Sequence, residues 1–367
     1  MPVLSRVLES HGWSQWIVLA FLIKPIAAIV SPLALSALAD QRIPAERIVT
    51  VLLTIGAILQ VMAFRELQLG ESPARFLFWF TIQSLVTAPN FSLINSITFS
   101  YLDGEVSRFG GLRVWGTIGW IAAGWTVSML KIDSSAVVGY LAACSSFVAV
   151  FCTLSLPKTR PQAKPPTSLA ERLGLTSFKL LRSRDIGVVI IASCLFMMPL
   201  SAFFMHTPLH MSCLGIDRIA ATMAIGQVTE IFALLGMGYI MRRFRFRTLM
   251  TLGFVFAFLR YALFAMVDEN SIWMLIVGIS LHGLCWSFFF EVGRAFLDQR
   301  APAEFRAQIQ ALVTLGTGGV GSIAGTMLVG LAYGKFVTEN VGWPGYWWLL
   351  AVWCLICGLG FVLFFRE

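Results

Sequence analysis

What this sequence has least of is charge. Only 13% of its 367 residues are Asp, Glu, Lys or Arg, against roughly 25% in an ordinary soluble domain. A chain so poor in charge cannot cover a water-facing surface, which excludes a soluble globular protein. Histidine is also scarce, with four residues, and no His/Cys/Asp/Glu spacing suits a metal; His206 and His210 stand one turn apart, but Pro208 lies between them and no carboxylate completes a set. Most of the seven cysteines fall inside apolar runs, where they read as small core residues, and the Cys354/Cys357 spacing has no redox-fold context. There is no nucleophile elbow, and the glycines between Gly316 and Gly325 are followed by no lysine at phosphate-loop spacing. Catalysis therefore has little support, and no cofactor is expected. The net charge of +8 does not point to nucleic acid either, because the cations sit in short loops between apolar runs rather than on one soluble face.

What fills the chain instead is hydrocarbon. Hydrophobic residues make up 57% and the mean hydropathy is +0.79. A spanning helix needs about 20 apolar residues, and such stretches run over 13–39, 48–64, 76–101, 114–130, 136–156, 186–206, 220–240, 249–267, 272–297, 309–333 and 346–365. The expected class is an all-α integral membrane protein with about 11 spans. Lys158, Arg160, Lys164, Arg172, Lys179, Arg182 and Arg184 fill the longest loop, and Arg242, Arg243, Arg245 and Arg247 fill another on the same side. Cation-rich loops stay in the cytoplasm, so the C-terminus is expected inside and Met1 outside. That start, together with an odd number of spans, suggests that a first helix is missing. The halves echo each other across the Pro-rich basic linker, giving a first bundle over 1–157, a linker over 158–185 and a second bundle over 186–367, in the manner of a two-bundle secondary transporter.

Polar groups inside the apolar runs carry the functional reading, since an ionisable residue near the bilayer centre costs at least ~2.5 kcal/mol and persists facing a cavity or a partner. Gln227 and Glu230 sit three residues apart on one helix face, offering donors and a proton-carrying acceptor to one ligand. Arg113, Thr117 and Trp120 lie at i, i+4 and i+7, a cation, a hydroxyl and an aromatic plane on one stripe that suits a flat polar ring; helix-end anchoring and packing would explain them equally. His282 and Trp286 repeat that pattern one turn apart, and Ser287 and Glu291 form a second i, i+4 pair. Glu291 and Arg294 could simply neutralise each other. Lys24 and Arg260 interrupt apolar runs and each needs an anion, a carbonyl or water; Glu230 is a candidate partner for Lys24 or Arg113. Proton-coupling candidates are Glu230, Glu291 and His282.

Several segments together resemble the nucleoside:proton symporter family of the major facilitator superfamily: Leu93-Ile94-Asn95-Ser96-Ile97 after Pro89, Arg113-Val114-Trp115-Gly116-Thr117-Ile118-Gly119, Gln227-Val228-Thr229-Glu230, Leu259-Arg260-Tyr261-Ala262-Leu263-Phe264-Ala265, and Arg306-Ala307 with Gln310. The first half lines up only from the family's second helix onward. The resemblance implies two pseudo-symmetric helix bundles with alternating access around a central nucleoside site. In it Arg113, Thr117 and Trp120 match site positions from the first bundle, and Gln227 and Glu230 match polar contacts from the second. His282 falls where bacterial members carry tyrosine and Trp286 where they carry phenylalanine. Two departures bear on coupling and substrate choice: Ser287 stands at an acidic position, and the helix around Pro199 and Ala202 lacks a glutamine and an asparagine.

The expectation is thus a proton-coupled importer of a nucleoside such as uridine or adenosine, a monomer in the bacterial inner membrane, with substrate-binding residues Arg113, Thr117, Trp120, Gln227, Glu230, His282 and Trp286. Its partners are nucleoside, protons and membrane lipid, with no nucleic acid. Transport of another small polar solute, a sugar or an aromatic acid, is the alternative; a membrane sensor without flux is the other.

Overall fold

The computed structural model describes residues 3–39, 44–101, 109–156, 181–302, 306–338 and 342–366. Every regular element among the described residues is helical, as hydrocarbon requires when no water is there to satisfy backbone groups. In chain order these are α1 (Leu4–Ser10), α2 (Ile17–Ala39), α3 (Ala45–Leu69), α4 (Pro73–Thr87), α5 (Asn90–Tyr101), α6 (Phe109–Met129), α7 (Val137–Leu154), α8 (Arg184–Cys213), α9 (Ile219–Arg243), α10 (Phe246–Met266), α11 (Ile272–Trp286), α12 (Val292–Arg300), α13 (Arg306–Thr314), α14 (Ser322–Tyr333) and α15 (Trp343–Phe364). Wide π-turns join α11 to α12 over Ser287–Glu291 and α13 to α14 over Leu315–Gly321.

Among the described residues, nine helical stretches are long and apolar enough to cross a membrane. Two expected spans fall outside that set: 114–130 falls on α6 as far as Met129, and 76–101 is split into α4 and α5. The split has a local cause. Pro89 lacks an amide hydrogen, so α4 closes with Ala88 N donating to Ser84 O at 3.0 Å, and a new ladder starts with Leu93 N donating to Pro89 O at 3.0 Å. Exposed Phe232, Leu235, Leu331 and Leu363 give the helices outward apolar faces, which suit lipid rather than water. A loop boundary written into the sequence is Gly70, whose left-handed φ of 70° ends α3, after which Ser72 Oγ caps α4 and Pro73 opens it.

The chain divides into two compact units. One contains Leu4–Trp115 and Lys131–Leu169; the other contains Met1–Val3, Gly116–Leu130 and Ala170–Glu367. In the first, α3 is the central helix. Gly139 on α7 leaves room for the Phe64 ring, and Gly56 leaves room for Thr87, so α7 and α4 pack closely on either side of it. Thr50 Oγ1 and Thr153 Oγ1 are 2.9 Å apart, Tyr140 OH donates to Gln68 Oε1 at 2.7 Å, and Ser31 Oγ donates to the Leu85 carbonyl. Phe76 stacks on Phe80 at 5.4 Å and meets Phe64 edge-on.

In the second unit, the buried Phe196 ring stacks on Phe289 at 4.6 Å and is met edge-on by Phe254. Close backbone approach sets the rest: a Cβ at Gly253 would strike Phe289, one at Gly325 would strike Met198, and one at Gly358 would strike Phe254. Residues 116–130 group with this unit although sequence order places them in the first bundle. Gly124 faces the Ala220 carbonyl at a separation that excludes a side chain, and Ser128 Oγ accepts from Ala221 N at 3.0 Å. At one end of the unit, Arg184 Nε donates to Phe364 O at 3.1 Å, Arg247 Nη2 donates to Val362 O at 2.7 Å, and Arg300 Nε pairs with Asp185 at 2.7 Å.

Candidate functional site

The crossing of α9 and α11 is made by two glycines. A Cβ on Gly283 would collide with Glu230 N, Gly226 O and Thr229 Oγ1, and one on Gly226 would lie 3.2 Å from His282 Cβ. Small residues let the backbones touch, and Thr229 Oγ1 fastens the contact by donating to Ser280 O at 2.6 Å. Gln227 and Glu230, the pair read from the sequence, are therefore carried against the segment that bears His282. Gln227 is buried and Glu230 half-buried. Glu230 is engaged rather than free.

His282 is enclosed by rings. Phe203 of α8 stacks on its imidazole at 4.1 Å with an interplanar angle of 10°, Phe204 meets it edge-on at 5.5 Å, and Trp286 lies at 6.4 Å. Trp120 joins the same wall through Phe204 at 6.5 Å. Thr117, one turn before Trp120, is buried. The structure thus brings Trp120, His282 and Trp286 into one aromatic array, beside the α9 segment that holds Gln227 and Glu230. The side chain of Arg113 lies outside the described residues, as does that of Asn95.

Arg260 is the residue whose place the sequence left open. Its side chain is fully enclosed, at 0% exposure, with Nη1 3.0 Å from His282 Nδ1 and 3.4 Å from Cys285 Sγ. Its guanidinium lies 4.3 Å from the Tyr261 ring centre and 5.1 Å from that of Phe203, so aromatic faces supply much of its electrostatic support. Lys24, the other cation singled out, belongs to the other unit and sits 5.8 Å over the Phe80 ring.

The π-turn changes the register that the sequence implied at the end of α11. A regular helix would set Glu291 beneath Ser287, but the turn spans five residues per hydrogen bond and brings Glu291 beneath Trp286, whose Nε1 donates to Oε1 at 3.3 Å. Arg294 Nη1 stands 3.5 Å from the same oxygen, so the neutralising pair foreseen for Glu291 and Arg294 is present. Ser287 Oγ is buried with no hydrogen-bond partner. Near Ala202, which is fully buried, Pro199 O accepts from Tyr261 OH at 2.5 Å, and the Leu195 carbonyl accepts from Trp353 Nε1 at 3.0 Å.

Sequence reasoning missed Phe203 and Phe204. They are two more aromatic residues in a chain with 30 phenylalanines, and only their stacking on His282 distinguishes them. His206 and His210 serve packing: His206 stacks on Tyr333 at 4.4 Å and shares a hydrogen bond with Tyr346 OH, while His210 Nδ1 accepts from Trp347 Nε1 at 3.0 Å. No group of three or more His, Cys, Asp or Glu able to hold a metal occurs among the described residues.

The chain as a whole is similar to known proteins. The sequence model of the family described as Nucleoside H+ symporter matches residues 2–367. The chain is 30% identical to "Putative nucleoside transporter YegT" of Escherichia coli (strain K12), over 97% of this chain and 85% of that one. It is 28% identical to the nucleoside permease NupG of the same organism, over 93% and 85%. A crystal structure of a point mutant of the nucleoside transporter NupG superposes with a TM-score of 0.87 at 25% identity, covering 100% of this chain and 96% of that one. The fold is accordingly the major facilitator fold, and the protein is a transporter rather than an enzyme.

Proposed function

The chain belongs to the nucleoside H+ symporter family, and from that premise we propose that it drives nucleoside uptake with protons by alternating access, with Glu230 as the proton carrier. The observation that carries this reading is the α9–α11 crossing. It packs the α9 segment bearing Gln227 and Glu230 against the α11 segment bearing His282, whose ring neighbours are Phe203, Phe204 and Trp286, with Trp120 reaching the same wall through Phe204. Aromatic planes suit the faces of a nucleobase and the polar groups suit its edges and ribose. Thr117, Gln227 and His282 are the substrate contacts of this proposal, with Arg113 on the same stripe as Thr117.

A carboxyl that titrates between ionised and neutral states in a low-dielectric site changes the local electrostatics by a full charge. Protonation of Glu230 favours one facing state and nucleoside favours closure, each only to the extent of its differential affinity for the two states. Glu291 is less suited to carriage, since it pairs with Arg294 and Trp286. The cation-rich loops orient the C-terminus to the cytoplasm of a bacterial inner membrane.

The test is uptake of labelled uridine and adenosine by proteoliposomes with and without an inward proton gradient. Accumulation only with the gradient, competed by unlabelled nucleoside, supports the proposal. Flux of neither nucleoside through folded protein overturns it.

A further inference from the structure

Arg260 is costly where it stands. Its guanidinium is fully buried, and Nε and Nη2 have no hydrogen-bond partner, although a desolvated cation normally requires several. An apolar side chain would fill the volume at lower cost. What the arginine adds is direction, because its one hydrogen bond to a ring nitrogen goes from Nη1 to His282 Nδ1 at 3.0 Å.

Guanidinium is a donor only, so the nitrogen facing it must be the acceptor. We propose that Arg260 is a positioning residue: by donating to Nδ1 it fixes His282 as the neutral tautomer with its hydrogen on Nε2, and so presents one fixed donor to an acceptor on the nucleoside. The ring is turned suitably for this. Its Cδ2 lies 3.4 Å from where a Cβ on Gly226 would stand, so the ring edge opposite Nδ1 meets α9 one residue before Gln227. Phe203 keeps the plane in place, touching both the imidazole and the guanidinium. Of the helices packed around the ring, α10 contributes the charge of Arg260, α9 that of Glu230, α8 the neutral Phe203 and Phe204, and α11 itself Cys285. Second-sphere donors that set a histidine tautomer are a general device at sites where the imidazole must play one role. In this arrangement His282 donates a hydrogen bond and Glu230 moves the proton.

This inference rests on the nucleoside-site reading but is tested apart from it. With only four histidines in the chain, imidazole 15N spectra of histidine-labelled protein resolve the tautomer directly, and a His282→Tyr sample assigns the signal by difference. Across about pH 6 to 8, the His282 signal is expected to keep the Nε2–H pattern. In Arg260→Met it should show mixed tautomers, and in Arg260→Lys, which retains a donor, it should keep the Nε2–H pattern. Uptake by Arg260→Met is expected to show KM raised about tenfold, the equivalent of one lost hydrogen bond. An Nδ1–H pattern in the unaltered protein, or an unchanged pattern in Arg260→Met, overturns the positioning role whatever is transported. Should Arg260→Met fail to fold, the spectra of the unaltered protein and of Arg260→Lys decide the same question. The expected spectra without nucleoside flux would leave Arg260 in place and remove the nucleoside reading.

Discussion

The backbone nitrogen of Glu230 on α9 occupies the space that a side chain on Gly283 of α11 would need. The polar face of α9 is thus held at its distance from α11 by the absence of a single methyl group. Gly283→Ala is expected to push the helices apart at a cost of about 1–3 kcal/mol, larger than the ~1 kcal/mol gained in helix propensity, and to reduce uptake. Gly238→Ala on α9, where a Cβ meets nothing within 4 Å, should be neutral or stabilising. Thermal unfolding in detergent and uptake by both variants check the contrast; equal behaviour would show that the crossing does not depend on backbone contact.

If Glu230 carries the proton as proposed, replacing it with glutamine separates binding from coupling. With one proton per nucleoside, a gradient of about one pH unit supports about tenfold accumulation. Glu230→Gln keeps the shape and hydrogen bonding but cannot release a proton, so nucleoside counterflow should persist while accumulation falls to the equilibrium level. A variant that still concentrates nucleoside excludes Glu230 as the carrier.

Pro199 leaves the carbonyl four residues earlier without its helical donor, and Trp353 of α15 takes that role by donating to Leu195 O at 3.0 Å. Trp353→Phe should therefore destabilise the unit by about 1 kcal/mol beyond its packing change. Pro199→Ala, which restores a backbone donor, should abolish that specific loss in the double variant. A double-variant cycle in unfolding temperature measures the coupling, and strict additivity would disprove it.

Ser287 is the reverse case, a buried hydroxyl with no partner. Ser287→Ala removes a desolvated group, so the expected change lies between neutral and about 1 kcal/mol more stable, with uptake retained. Lower stability together with lost uptake would reveal a partner that forms in another state of the transport cycle.

The helices and the polar face of α9 were legible because hydropathy and the i, i+3 spacing are local properties. The break at Pro89 also has a local cause, since proline cannot complete the ladder, but hydropathy alone runs 76–101 together as one span. Glu291 and Arg294, three residues apart, pair as their spacing suggested. The link between Arg260 and His282 was not legible: it joins two helices across 22 residues, and nothing in either segment names the other. The π-turn at Ser287–Glu291 was hidden for a different reason, because reading at a 3.6-residue period assigns Glu291 to Ser287 when the wider turn gives it to Trp286. Phe203 and Phe204 carry no local signal beyond being aromatic.

Arg184 and Arg247 hold backbone carbonyls near the end of α15, so two residues that a topology count would enter as loop cations also serve as struts. Neutralising either one would show up first as a loosened helix end, with α15 slipping against α8 or α10, and not as an inverted insertion. Topology reporters and stability measurements on the same variants would then disagree, and the disagreement would distinguish cations that orient this chain from cations that brace it.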